Sequence, residues 1–346
     1  MLDQSDVGGG LLAAVRRASH DDQLSFHTPP RPVNATGSVI FVETRTATDR
    51  LSRAGVVRVC PEIGVAKREA VVQRFLTGRG FPAPAVLLTG SADDELGGAW
   101  LLTEQVSGQA VRIGGLRNPV AGLRSLVALW SRPSLLASLS ATLHSLDPGP
   151  LPSELEAAGV NFNWFGFQWG LAEQLRTPGQ TEVVEWLRAN RPSDSETVVS
   201  HGDLHPGNIV IGTDGPRVVD WAIAGLAPAA RDVACTMFAL LNTGGQAPAP
   251  LRPAFSWLGR SFSRRFLHLY RKRSSAGMTD AELDWHRVLY SVNRIVWSTL
   301  EGGHSPVAND EDALAKRASR TVGTLGQEFP LHVELIKNIT GIDIAA

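Results

Sequence analysis

Cysteine is scarce in this 346-residue chain, which has two, Cys60 and Cys235. They are far apart and lack the paired spacing of a zinc ribbon or a redox motif. The sequence therefore predicts no disulfide framework, and buried thiols in a reducing, cytoplasmic setting are the expectation. Lysine is nearly as rare, with 4 residues against 29 arginines, and the formal net charge is only −1. Without an excess of either sign there is no electrostatic footprint for nucleic acid and no basic face for an anionic membrane. Long apolar runs are also missing, none approaching the roughly 18 residues of a transmembrane helix. The opening stretch MLDQSDVGGGLLAAVRRASHDD carries acids before a short apolar patch and arginines after it, the reverse order of a secretory signal. These absences leave a small molecule as the expected partner.

The hydrophobic fraction of 43% and charged fraction of 19% are those of a globular protein, and the length suffices for two lobes. The organising stretch is His201 to Trp221, HGDLHPGNIVIGTDGPRVVDW. Asp203 and Asn208 stand five residues apart, the spacing of the protein-kinase catalytic-loop pattern H-R-D-L-x-x-x-N. In that pattern the Asp receives the acceptor proton and the Asn holds Mg²⁺. Here Gly202 replaces the Arg.

After Asn208 an apolar run, Ile209-Val210-Ile211, is followed by the turn residues Gly212 to Pro216 and a second run, Val218-Val219-Asp220, which predicts a hairpin. A turn centred on Asp214 would pair Ile211 with Arg217 and set Asn208 opposite Asp220, about 4.5–5.5 Å apart between Cα atoms. An amide oxygen and a carboxylate are hard ligands of the kind Mg²⁺ takes. Two rival readings exist: a zinc site from His201, Asp203 and His205, and a turn without chemistry. The first leaves Asn208 and the hairpin without a role.

The string HGDLHPGN followed by VVDW resembles the aminoglycoside phosphotransferase and choline-kinase-like family, small-molecule relatives of the protein kinases. The resemblance implies a bilobal, protein-kinase-like α/β fold, with residues 1–105 as the nucleotide lobe and 106–346 as the catalytic and acceptor lobe. It implies Mg²⁺ as cofactor, held by Asn208 and Asp220, and ATP or GTP as phosphoryl donor. His201, Asp203 and His205 fall in the catalytic loop, with Asp203 as base. In the nucleotide lobe, Arg58 lies on the predicted strand Val56–Val59, where Lys is usual, and Glu69 on the predicted helix 66–76 would pair with it. No G-x-G-x-x-G is present; Ser38, in the turn Asn34 to Ser38, is the expected phosphate-loop donor. Backbone groups of Glu104 and Val106 would receive the nucleotide base. Asp232, in the segment GLAPAARDVA, would be a buried brace beneath the catalytic loop.

Residues 1–24 read as a short helix or lead-in broken at Gly8-Gly9-Gly10. Aromatics are dense at Phe162, Trp164, Phe165, Phe167 and Trp169. Most are expected in the core, with Trp164 and Trp169, together with Glu301, as candidates for touching the acceptor. The C-terminal third reads as three helices, the last beginning near Asn309. From 106 to 346 there are 22 Asp plus Glu and 22 Lys plus Arg. That balance favours a neutral or weakly charged hydroxylated acceptor over a polycation. The predicted activity is O-phosphorylation of a small molecule, with inactivation of an antibiotic (glycosylated, nucleoside-type or aminoglycoside) as the leading reading. A sugar or amino-alcohol kinase, or a nucleotide-binding regulator without turnover, is the alternative.

Overall fold

The computed structural model describes residues 4–32, 39–45, 54–60, 63–91, 96, 98–110, 119–161, 163–175, 177–193, 196–242, 252–299 and 322–344. Two compact units interleave along the chain, the first comprising residues 1–111, 149–161 and 208–224, the second 112–148, 162–207 and 225–346. A single boundary at residue 105 therefore assigns to the second lobe three stretches of the first unit, 106–111, 149–161 and 208–224.

The first unit begins with α1 (Gln4–Ser19), which runs through Gly8 to Gly10 without the expected break. Each helical glycine costs about 1 kcal/mol relative to Ala. Leu11, Ala14 and Val15 are fully buried against Ile40, Val42, Val57, Trp100 and Leu102, and that packing overrides the local preference. The sheet under α1 is antiparallel, with β1 (Ser25–Pro32), β2 (Val39–Arg45), β3 (Ala54–Cys60), β4 (Val86–Gly90) and β5 (Ala99–Glu104) in the order β1-β2-β3-β5-β4. On β2 and β3 buried and half-buried positions alternate, as the period of two requires for a sheet with one covered face. Arg58 is thereby turned away from the face that carries the buried Val57.

Helix α2 (Ile63–Gly78) contains the expected 66–76 stretch and buries Ala66, Ala70, Val72 and Leu76. It also buries Arg68, whose Nε donates to the Val160 carbonyl at 3.2 Å and whose Nη1 donates to the Ala222 carbonyl at 3.4 Å. Val160 follows the short helix α4 (Leu151–Ala157) of this unit, so one side chain joins three segments far apart in sequence. Here β8 (Ile209–Gly212) and β9 (Gly215–Val218) form the predicted hairpin, with β6 (Gln109–Ala110) on the outer side of β8.

The hairpin register differs from the expectation by one residue. Ile211 pairs with Pro216 and Gly212 with Gly215, so the turn is the two-residue Thr213-Asp214, closed by Gly215 at φ +102°. Asn208 consequently faces Val219, whose N–H donates to its carbonyl at 2.9 Å, instead of Asp220. A slip of one residue reverses the face of every side chain that follows. Asp220 lies past the ladder in the left-handed region, at φ 68°.

The second unit is helical. It contains α3 (Pro119–His144), α5 (Trp164–Ala172), α6 (Pro178–Ala189), α7 (Ala229–Leu241), α8 (Arg252–Arg273), α9 (Asp280–Thr299) and α10 (Val322–Thr340). A two-stranded ribbon pairs β7 (Thr197–Ser200) with β10 (Gly225–Pro228). Helix α7 is its centre, nearly all of it buried, and packs with α8 and α9. Phe262 and Phe266 of α8, and Trp285, Val288, Leu289, Val292, Ile295 and Val296 of α9, are buried as their stripes predict. The Thr279 hydroxyl caps α9 by accepting the Glu282 N–H at 3.1 Å. The expected helix start near Asn309 lies outside the described residues. Among those described, no helix is long and apolar enough to cross a membrane.

Replacing Arg68 with Met should cost about 2–4 kcal/mol, because two buried carbonyls lose their donor. Urea unfolding measures this; a midpoint equal to wild type would show that the three segments are held by other contacts.

Candidate active site

In the first unit Glu69 and Asp220 converge on Arg58. Its Nη1 donates to both carboxylate oxygens of Glu69 at 3.0 Å, and Nη1 and Nη2 both donate to Asp220 Oδ1 at 3.0 Å. The strand sets the height of Arg58, α2 brings Glu69 over it, and the residues after the hairpin bring Asp220. Burial alone would pull the guanidinium down, but the two carboxylates outweigh it and hold Arg58 above the ordinary arginine value. The planar fork of Arg serves two carboxylates at once, a geometry that a Lys ammonium matches less well. The pairing also holds Asp220 in a backbone conformation uncommon outside glycine.

Trp221, which follows, is fully buried; its Nε1 donates to the Val218 carbonyl at 2.9 Å and its ring meets Phe81 edge-on at 5.6 Å. The buried side chain of Asn208 begins the hairpin. Glu104 ends β5; its N–H donates to the Ala85 carbonyl at 2.9 Å, and its carboxylate accepts from Arg217 of β9 at 3.2 Å. Val106 follows in extended chain, half-buried. Ser38 and Glu301 lie outside the described residues.

In the second unit the loop carrying Asp203 is built on α7. The fully buried Asp232 accepts from the Ser200 hydroxyl at 2.7 Å, from the N–H groups of His201 and Gly202 at 2.8 Å each, and contacts His144 Nε2 at 3.3 Å. Burial works to raise this carboxyl, but His144, Arg231 and Ser200 together hold it far below the usual carboxylate range. His144 is fixed in turn by the Tyr270 hydroxyl, 2.8 Å from Nδ1. One helical turn past Asp232, the Thr236 hydroxyl donates to the Leu204 carbonyl at 2.7 Å, and the Cys235 thiol lies 3.6 Å from Asp203 Oδ1. Burial and the nearby Asp203 and Asp232 push the Cys235 thiol well up, so it stays protonated and donates.

His201 and His205 brace the same loop from within. Each accepts at Nδ1 from the N–H two residues on, that of Asp203 at 3.2 Å and that of Gly207 at 3.0 Å. Gly202 takes φ 81°, which only glycine adopts freely. The Asp203 carboxylate is left 46% exposed at the loop tip, with His205 Nε2 3.7 Å from its Oδ2. Among the described residues no cluster of three or more His, Cys, Asp or Glu gathers as a metal site.

Trp164 is buried beside Arg231, whose guanidinium carbon sits 4.8 Å over its ring. Trp169 is half-buried, stacked on Phe165 at 6.0 Å, with the Arg188 guanidinium carbon 5.7 Å from its ring centroid. Arg231 is a site residue that sequence reasoning passed over. The only signal was a second charged residue beside Asp232 in the otherwise uncharged segment GLAPAARDVA.

The Phosphotransferase enzyme family model matches residues 38–270. Among curated proteins the chain is 28% identical over 173 residues to acyl-CoA dehydrogenase family member 11 of Gallus gallus, a match covering 47% of this chain and 22% of that protein. It thus spans under a quarter of that relative's length. Among solved structures, an aminoglycoside-3'-phosphotransferase of type VIII matches at 21% identity, over 82% of this chain and 99% of the other, with a TM-score of 0.50. Plasmodium vivax ethanolamine kinase matches at 14% identity, over 92% of this chain and 84% of the other, with a TM-score of 0.55. An amicoumacin kinase in complex with AMP-PNP, Ca²⁺ and Ami matches at 16% identity, over 87% of this chain and 88% of the other, with a TM-score of 0.52. The mixed α/β fold, sheet first and helices after, is that of these kinases.

Two outcomes test the bracing. Asp232→Ala should cost about 3–5 kcal/mol in chemical denaturation, since it strands buried donors and His144; a loss below about 1 kcal/mol would remove Asp232 from the role of brace. His286, driven down to about 3 by burial and by Arg231, binds its proton more readily unfolded, where its value is about 6.5. Stability should therefore fall as pH drops through that window. His286→Gln should flatten the fall in melting temperature, and an unaltered profile would contradict it.

Proposed function

The chain belongs to the phosphotransferase enzyme family, and from that premise we propose that it transfers the γ-phosphoryl group of ATP or GTP to a hydroxyl of a small molecule. The observation that carries the reading is Arg58, held by Glu69 and Asp220 in the first unit. It is the arrangement of a phosphate-positioning cation, its helix partner and a metal-binding carboxylate. In the second unit the counterpart is Asp203, exposed on a loop whose N–H groups at His201, Gly202, Asp203 and Gly207 all have acceptors.

Asn208 and Asp220 would hold Mg²⁺; an amide oxygen and a carboxylate fit its preference for hard oxygen ligands. Bound there, the ion would supply positive charge that offsets the negative charge developing on the transferring phosphoryl group. Arg58 positions the phosphates, and Glu69 fixes its fork. Backbone groups of Glu104 and Val106 receive the base, and Ser38, outside the described residues, is the proposed phosphate-loop donor. The acceptor oxygen forms a bond to the γ-phosphorus as the bond to the leaving nucleoside diphosphate breaks, and the hydroxyl proton passes to Asp203. That transition state is loose and asks little base strength, which suits a carboxylate. His201 and His205 contribute by holding the loop, through the two backbone N–H groups they accept.

On this reading residues 1–105 supply most of the nucleotide side and 106–346 the acceptor side, in the cytoplasm. The acceptor is a hydroxylated metabolite or antibiotic. The even charge balance of residues 106–346 disfavours a polycationic aminoglycoside.

Asp203→Ala should lower turnover by about 10²–10⁴-fold, the range for general-base removal, while Mg²⁺-nucleotide binding stays near wild type. Phosphoryl gain on a panel of hydroxylated compounds, read by mass spectrometry alongside nucleotide binding by calorimetry, checks both. Undiminished turnover in that variant would sink the assignment of Asp203.

A further inference from the structure

One turn before Cys235, on the same face of α7, lies Arg231. Its surroundings are chemically mixed: the ring of Trp164 at 4.8 Å, and within electrostatic range Asp232, Cys235, Asp203, Tyr290 and His286. His286 and Tyr290 stand one turn apart on α9, which packs against α7. The Cys235 thiol of the same α7 face is the group in contact with Asp203. Arg231 therefore belongs to the surroundings of the acceptor-side carboxylate, on the side formed by α7, α9 and Trp164.

Arg231 is 7% exposed, yet among the described residues few of its guanidinium donors have a partner. Among the described residues its one acceptor is Ser200 Oγ, 3.2 Å from Nη1, and its Nε–H is buried with none. Asp232, the neighbouring carboxylate, is already engaged by Ser200, His201, Gly202 and His144. A buried cation with spare donors is costly unless something completes it. The planar fork of a guanidinium is matched by an oxyanion, above all a carboxylate. Burial pulls Arg231 below the ordinary arginine value, with Asp232, Cys235, Asp203 and Tyr290 working against that pull, so an added anion would be favoured further.

Resting on the kinase reading above, we propose that Arg231 determines acceptor specificity by binding a carboxylate of the acceptor while the acceptor's hydroxyl lies at Asp203. Hydroxy acids are then the substrate class. An anion approaching Asp203 is repelled by that carboxylate, and Arg231 offsets the repulsion. A polycation would meet the opposite arrangement, attracted by Asp203 but opposed by a desolvated guanidinium beside it. His286 is neutral near pH 7, being driven down to about 3, so Arg231 is the charged basic member of this group.

The test uses the full chain with Mg²⁺ and ATP or GTP, and matched pairs of hydroxy acids and their methyl esters, with kanamycin as a polycation. Phosphoryl transfer is followed by mass spectrometry, and hydroxy-acid binding is measured by calorimetry without nucleotide. Wild type should favour acids over esters. Arg231→Met should raise the acid KM by about 10- to 100-fold, the weight of a charge-assisted hydrogen bond, with a smaller change in kcat, and the acid-over-ester preference should collapse. Arg231→Lys should keep part of it, and carries the test if the Met variant fails to fold. Esters or kanamycin phosphorylated as well as the acids would overturn the proposal and leave the kinase reading intact. So would acid binding that neither substitution alters, or no acid bound or phosphorylated at all. Absence of Mg²⁺-nucleotide binding would instead overturn the kinase reading. The calorimetric comparison of acids between wild type and Arg231→Lys would still decide whether Arg231 binds the carboxylate.

Discussion

The second unit depends on one buried carboxylate. Asp232 takes two backbone N–H groups, a hydroxyl and an imidazole from three different elements, and so fixes β7, the start of the loop that carries Asp203 and α3 against α7. A group of this kind gains little over a well-packed apolar core in net stability. What it gains is definition: the loop after Ser200 has few hydrogen bonds of its own, and without a fixed acceptor the two N–H groups at His201 and Gly202 would be buried without partners. The internal bonds of His201 and His205 extend the same logic by one residue each. The result is a loop whose backbone is determined up to Asp203, leaving that side chain half open to solvent.

The first unit solves a related problem with a cation. Arg58 is a rigid fork between Glu69 and Asp220, and each of its partners comes from a different stretch of chain. Arg68, on the residue next to Glu69, ties the same helix to the segment beyond Asp220 through the Ala222 carbonyl. Helix α2 therefore carries two successive charged residues of opposite sign, and both contribute to the placement of the residues after the hairpin. Glu104 and Arg217 add a third ion pair, joining the end of β5 to β9. Such a frame holds the candidate phosphate and metal residues by directional contacts, where apolar packing alone would leave their rotation free.

How much of this could be read in the sequence follows from the range of each interaction. The strands bearing Val39 and Arg58, the helix bearing Glu69, the hairpin and the apolar stripes of α8 and α9 are written in local periodicity, and they appear in the structure. The pairing of Arg58 with Glu69 and the burial of Asp232 followed from the family resemblance. The hairpin register did not follow, because Gly212 to Pro216 permits turns of more than one length, and a single residue separates Asn208 opposite Asp220 from Asn208 opposite Val219. Continuity of α1 through three glycines was hidden for the opposite reason: local propensity argued against it and distant burial decided. The interleaving of 149–161 and 208–224 with the first unit is a tertiary property, carried by contacts such as Arg68 to Val160 that no local pattern announces.

Arginine outnumbers lysine heavily in this chain, and two of its uses are complementary. Arg58 has its donors committed to two carboxylates, so its charge is spent on holding the protein's own groups in place. Arg231 is set deeper and, among the described residues, hydrogen-bonds only to a hydroxyl, with Trp164 below it and Asp203 within its field. If its purpose were structural alone, an uncharged residue filling the same volume would meet the need at lower desolvation cost. The position is consistent with a charge kept for something that arrives from solution, and the chemistry of a guanidinium limits that partner to an acceptor of hydrogen bonds bearing negative charge. An acceptor recognised in this way would be oriented at two points, its anion at Arg231 and its hydroxyl at Asp203. Two such points are what a phosphotransferase needs to choose one oxygen among several.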